Sequence, residues 1–320
     1  MKTTMSAGLL AAALAIGAYA HATEDPLSQV NAALQAGEAD KALALLSSLP
    51  QSGASHNLRC RVLFTLEQWN ESASECQQAV GVDDQNSDYH LWLGRALGEK
   101  ASRASFLSAY SLGKRVRSEF EQAVRLNPRN ADALADLGEF YYDAPGVVGG
   151  GIGKAQGVAS QLDKVDVARA HELRARIAEN QKDLGTAERE FKQAVTASEH
   201  PAFQSMDLAS FYRRRERWTE MEAAVQSGAK AAQRDKHAEV ALFNGASILI
   251  RANRNPVLAI KMVEDYLASS SKTEEAPAFV AYTRLARLKA QTGDITGARA
   301  ARAAALKLAH DYRPAQDLKF

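Results

Sequence analysis

Cysteine is nearly absent from this chain, with two residues in 320. That excludes a disulfide-dense scaffold and any iron–sulfur or zinc module built on four thiolates. Aromatic residues make up only 7%, a poor supply for sheets, whose strands favour aromatic and β-branched side chains. An excess of one charge is also missing. Lys and Arg number 39 against 38 Asp and Glu, without the basic surplus of a general nucleic-acid binder. With 46% hydrophobic and 24% charged residues, the chain is not a disordered one either. What remains abundant is alanine, the best helix former, so an all-α fold is expected.

The first segment, MKTTMSAGLLAAALAIGAYAHA, reads as an address. Lys2 opens it, an apolar run follows from Ala7 to Ala18, and Ala20-His21-Ala22 fits the small-x-small cleavage rule. The run of about 12 residues is short of the roughly 20 that span a bilayer. No cysteine follows the cleavage position, which argues against a lipid anchor. A cleavable signal peptide over 1–22 is therefore expected, with export to the periplasm and a mature chain starting near Thr23. No later stretch is long and apolar enough to cross a membrane.

Internal similarity is the main signal in the remainder. A small residue near the middle of one helix, a turn, and an alanine opening a second helix recur. The phrase appears at Gly37-Glu38-Ala39, Leu184-Gly185-Thr186-Ala187 and Gly293-Asp294-Ile295-Thr296-Gly297-Ala298, with looser copies around Trp69 and Trp218. Leu93-Gly94, then Phe120, Ala123 and Pro128, carry the fullest version, and Leu137-Gly138 and Tyr141 repeat its first half. In these residues the chain resembles the tetratricopeptide repeat family, whose unit is about 34 residues of helix–turn–helix. The resemblance implies a TPR-like α-solenoid over 23–312, about eight units in a right-handed superhelix with a concave inner wall, and a tail at 313–320. A glycine at the inter-helix turn would supply the positive φ that ends a helix.

The register slips twice, near 98–112 and 143–154. The first insertion reads either as two lengthened helices or as a short connecting helix. The second contains Ala144-Pro145 and Gly149-Gly150-Gly151. Together they resemble a subset of exported bacterial repeat proteins that carries no assigned reaction. Insertions in such proteins fall on loops of one face, often the binding face. The glycine run is no phosphate loop: Gly153-Lys154 is followed by Ala155, Val148 stands where the first glycine belongs, and a helix precedes. Two readings stay open for it, a long turn and an anion site made of bare backbone N–H groups.

Signatures of chemistry are scarce. No HExxH, CxxC or GxSxG occurs. Neither His90 nor His171 has another histidine at helical spacing, and both read as packed side chains. Asp83-Asp84 and Glu274-Glu275 read as helix-end and loop acids. No metal and no cofactor is implied, and the chain is not expected to be an enzyme. Taking Trp69 as the turn of its unit, Cys60 and Cys76 face each other on antiparallel helices. They either pair, as an exported protein permits, or act as small apolar fillers. The stretch through Arg103, Phe106, Tyr110, Lys114, Arg115 and Arg117 reads as an exposed amphipathic helix, with contact to lipid or a partner as the alternative.

In such repeats the first helix of each unit lines the concave wall. The inward slots then fall on Arg95, Glu139, Tyr142, Arg176, Arg213, Asn244, Arg251 and Arg287. Five are arginine, whose planar fork suits carboxylates. The expected function is a non-enzymatic interaction or assembly scaffold that accepts a protein or peptide, with acidic groups or a chain terminus, along this groove. The alternative is a soluble receptor for a small anionic ligand or acidic peptide. Solvated helix faces carrying local ion pairs would leave the same sequence pattern, and the Lys and Asn of the carboxylate clamp known in some family members are not in place.

Overall fold

The computed structural model describes residues 25–320; the expected signal peptide lies outside the described residues. Within them sixteen helices pair into eight consecutive hairpins. The first four are α1 (Pro26–Ala36) with α2 (Ala39–Ser47), α3 (Gly53–Thr65) with α4 (Trp69–Val82), α5 (Ser87–Ser102) with α6 (Phe106–Leu126), and α7 (Ala131–Asp143) with α8 (Ile152–Leu162). The next four are α9 (Val167–Asn180) with α10 (Leu184–Ala197), α11 (Pro201–Arg214) with α12 (Trp218–Ala232), α13 (Val240–Arg251) with α14 (Pro256–Ala268), and α15 (Ala278–Gln291) with α16 (Ile295–Leu308). A short α17 (Arg313–Gln316) follows. The described residues contain no strand. The architecture is a helical-repeat solenoid.

Local chemistry explains the punctuation. Side chains of Asn86, Asn130, Asp166, Asp183, Asn255 and Asp294 cap helix starts by accepting from backbone N–H groups inside the first turn; each cap contributes about 1 kcal/mol. Gly94 lets α5 and α6 approach, because a Cβ there would enter the Phe120 ring. The left-handed turn between paired helices is filled less often by glycine than the sequence suggests. Gly37 and Gly293 serve at φ 72° and 88°, but Glu67, Lys182 and Glu216 do so in their own hairpins at φ 60°, 67° and 56°. Gly185 lies inside α10 instead. Three first-helix histidines are each tied to the second helix of their hairpin. The Nδ1 atoms of His56, His90 and His171 lie 2.6, 2.6 and 2.8 Å from carboxylate oxygens of Glu75, Glu119 and Glu190.

Both register slips have a visible form. The first lengthens both helices of its hairpin, with no helix between them; the start of α6 leaves Phe106 and Leu107 85% and 80% exposed. The second is a 3-10 turn at Gly146–Val148 followed by the glycines. Their backbone N–H groups are already used: Gly149 donates to Gly146, Gly150 to Pro145 and Gly151 to Tyr141. The three glycine N–H groups are thus taken up inside the turn itself, as a long turn would have them. In the second hairpin the structure joins Cys60 to Cys76 by a disulfide, with Cα atoms 5.2 Å apart.

The two ends of the row meet. One buried cluster contains Leu34, Ala42, Leu58 and Val62 from the first hairpins together with Phe279, Ala305, Tyr312 and Ala315 from the last. Phe279 and Tyr312 pack edge to face at 4.8 Å. The Tyr312 hydroxyl donates to Glu67 over 3.0 Å, and the His310 N–H donates to Asp40 over 2.9 Å. The segment set apart in the sequence as a tail, 313–320, thus begins with α17 and takes part in this seam through Ala315. The α14–α15 loop follows the same closure: Arg61 on α3 donates to both carboxylate oxygens of Glu274 at 2.9 and 2.5 Å, and Gln35 on α1 donates to it at 3.2 Å.

Candidate functional site

The first helices present their inner faces to one another along the concave wall, and an ion-pair ladder ties successive hairpins together there. Arg95 on α5 donates to Asp136 on α7 at 2.6 Å. Arg169 on α9 pairs with Asp132 on α7. Arg176 on α9 pairs with Asp207 on α11 at 3.0 Å and lies 3.8 Å from Glu172. Arg214 on α11 grips Glu179 on α9 through two bonds of 2.7 Å, with Arg215 adding a third.

Seven of the eight residues picked from the sequence divide into two groups. Arg95 and Arg176 belong to the ladder and are held by the protein's own carboxylates. Glu139 and Tyr142 share their stretch: Tyr142 is pushed above its ordinary range by burial and then by Glu139. Arg213, Arg251 and Arg287 form a different stretch, and Arg284, one turn before Arg287 on α15, joins them. Among the described residues none of these four pairs with a carboxylate; Arg287 donates to the Pro314 carbonyl at 3.2 Å, and Arg284 bonds to Ser247 and lies 4.1 Å from the Phe243 ring centroid. Burial and then the neighbouring Arg251 lower Arg284 to about 10, and burial followed by Arg214 and Arg251 lowers Arg213. Asn244, on α13, is half-buried.

The wall is therefore split by charge. Its N-terminal stretch holds Asp132, Asp136, Glu139, Glu172 and Asp207, and Glu275 joins them from the α14–α15 loop. Sequence reasoning missed most of these. Glu275, in sequence an ordinary loop acid beside Glu274, lines both cavities of this stretch. A signal did exist for the others: Asp136 and Glu172 lie three and four residues before Glu139 and Arg176, one turn away on the same helix face.

Burial raises these carboxylates, and for some of them a neighbouring carboxylate adds to it. Burial and then Asp136 raise Glu139; burial and then Asp132 raise Glu275; burial raises Asp136 and Asp207. Glu172 is pushed up to about 8 by burial and then by Asp207. A carboxyl whose folded pKa exceeds its unfolded value binds protons more tightly when folded. Its contribution is full below the unfolded pKa and is lost as pH rises through the folded one. The melting temperature is accordingly expected to fall between about pH 5 and pH 8.5, and Glu172→Gln is expected to flatten that fall. Thermal melts of both proteins across this range check it; parallel curves would refute the assignment to Glu172.

No protein-family model matches the sequence, and no curated protein matches it. Solved structures do. A thermophilic TPR protein from Thermus thermophilus aligns with a TM-score of 0.50 at 18% identity, covering 58% of this chain and 96% of that one. The Cut9 and Hcn1 hetero-tetramer of the APC/C aligns with a TM-score of 0.47 at 16% identity, covering 82% of this chain and 48% of that one. The C-terminal part of a TPR repeat-containing protein from Cytophaga hutchinsonii aligns at 0.42 and 12%, covering 78% and 97%. At these identities the likeness concerns the fold, which is that of TPR-like solenoids.

Proposed function

We propose that the protein is a non-enzymatic interaction scaffold that captures a polypeptide along its concave wall. One observation carries this reading: Arg213, Arg251, Arg284 and Arg287 are gathered on α11, α13 and α15 with no carboxylate partner among the described residues. Unpaired arginines at close quarters repel one another, and an acidic segment relieves that repulsion while meeting planar donors suited to carboxylates. The wall runs over successive hairpins, which suits an extended chain. We place this work in the bacterial periplasm. The leader-like first segment and the Cys60–Cys76 disulfide support the location, since disulfides persist in oxidising compartments.

Fluorescence anisotropy with a labelled acidic peptide, four Gly-Glu repeats, tests the reading. Arg213→Ala with Arg251→Ala is expected to weaken binding by at least about tenfold. Arg176→Ala is expected to have a smaller effect, because Arg176 is already held by Asp207 and Glu172. Equal loss from both variants, or no binding, would remove the arginine stretch as the capture surface. Arg284 stacked on Phe243 is recessed enough to suit a small anion. A thermal shift with phosphate or sugar acids comparable to that with the peptide would favour a small-ligand receptor instead, since a ligand stabilises what binds it.

A further inference from the structure

Two cavities open along the acidic stretch and meet at Arg95, Asp136 and Glu275. The first encloses about 530 Å³ and is walled by the rings of Phe64, Trp69, Trp92, Phe120 and Phe140. Phe64 packs edge-on to Trp69 and Trp92 at 5.0 and 5.6 Å, so the aromatic surface is continuous. Six carboxylates and one arginine line the same cavity. Four of the acids are engaged: Asp136 by Arg95, Glu274 by Arg61, Glu99 by Arg103 and Glu67 by Tyr312. Glu139 and Glu275 are not; among the described residues neither accepts a hydrogen bond nor pairs with a cation. They enter from different elements, Glu139 from α7 and Glu275 from the α14–α15 loop.

The rings already attract cations from within the protein. Arg95 and Arg61 lie 4.9 and 5.4 Å from the Trp92 centroid, and Arg103 lies 4.7 Å from that of Trp69. Phe64, Phe120 and Phe140 carry none among the described residues and remain as apolar wall. In the adjoining cavity of about 770 Å³ Gln204 is only 9% exposed, and its Oε1 has no donor among the described residues. Both cavities thus have acceptors in surplus.

We propose that the aromatic cavity receives the cationic side chain of a lysine or arginine carried on an extended segment of a partner polypeptide, with its charge between Glu139 and Glu275. Such side chains have an apolar stem and a charged head, and the cavity has a surface for each. A neutral apolar guest would bury two carboxylates without compensation, and an anion would be repelled. A polypeptide suits the site better than a free amine because the acidic floor continues into the second cavity through Asp132, Glu172 and Asp207. At about 3.3 Å per extended residue, the joined cavities offer room for neighbouring residues as well. This site and the unpaired arginines use different side chains, and either can fail alone.

The full chain is titrated with two labelled peptides, four Gly-Lys repeats and four Gly-Glu repeats. The lysine peptide is expected to bind, and Glu139→Gln with Glu275→Gln is expected to weaken it at least about tenfold while leaving the glutamate peptide unchanged. That second measurement also reports that the variant is folded. Glu216→Gln, an exposed turn acid, is expected to change neither peptide. Lysine-peptide binding that is absent, unmoved by the two glutamines, or equally weakened by Glu216→Gln would overturn the site. Spermidine competing as tightly as the peptide would overturn the polypeptide as occupant. Loss of glutamate-peptide binding in the wild type alone would count against the arginine stretch and not against this cavity.

Discussion

A Gly37→Ala variant is expected to lose about 2–5 kcal/mol of stability and to release the contact between the first and last hairpins. Gly37 holds φ 72°, where an L-residue with a Cβ is strained by about 1–2 kcal/mol. Its added methyl would also run into the backbone at Pro277–Ala278, with the Pro277 carbonyl carbon at 3.0 Å and the Ala278 nitrogen closer still. Backbone cannot rotate aside as a side chain can, so α15 and α1 must separate, and overpacking adds roughly 1–3 kcal/mol. Gly293→Ala is the matched control: φ is 88° there, but an added Cβ meets nothing within 4 Å. Urea midpoints, with hydrogen exchange over α1, α2 and α17, check the prediction. Equal losses in the two variants would mean that the ends do not meet in solution.

Replacing Cys60 and Cys76 together by serine is expected to cost about 3 kcal/mol, the loop-closure entropy of a cross-link spanning a loop this short. The residues are 16 apart in sequence. Both positions are fully buried, so alanine at both sites separates the cross-link from the burial of two hydroxyls. Reductant should bring the wild type to the alanine variant's urea midpoint and leave that variant unmoved. A wild type insensitive to reductant after oxidative refolding would refute the bridge as a stabilising element.

Much of the helical framework was legible residue by residue. Gly94 announced a close approach and Phe120 filled it, because both belong to one hairpin and their contact depends on local helix geometry. The turn glycines were less legible: Lys182 and Glu216 adopt the left-handed conformation without glycine's freedom, and packing of the adjoining helices holds them there. In the candidate site, Arg213, Arg251 and Arg287 were picked from their slots, whereas Arg284, one turn before Arg287 on α15, was not. Arg95 and Arg176 were found but not their partners. Each of these partners sits on the next hairpin, Asp136 across the first insertion from Arg95 and Asp207 on α11 beyond Arg176.

Helix content, pairing into hairpins and the concave placement of first-helix residues were set by the sequence alone, because they follow from periodicity within a few tens of residues. The meeting of the two ends, the arrival of Glu275 among Asp132, Asp136 and Glu139, and the division of the wall into acidic and arginine stretches were decided only in three dimensions. They depend on small rotations between successive hairpins that accumulate along the row. No local pattern records that sum, yet it brings Glu274 against Arg61, 213 residues earlier in the chain.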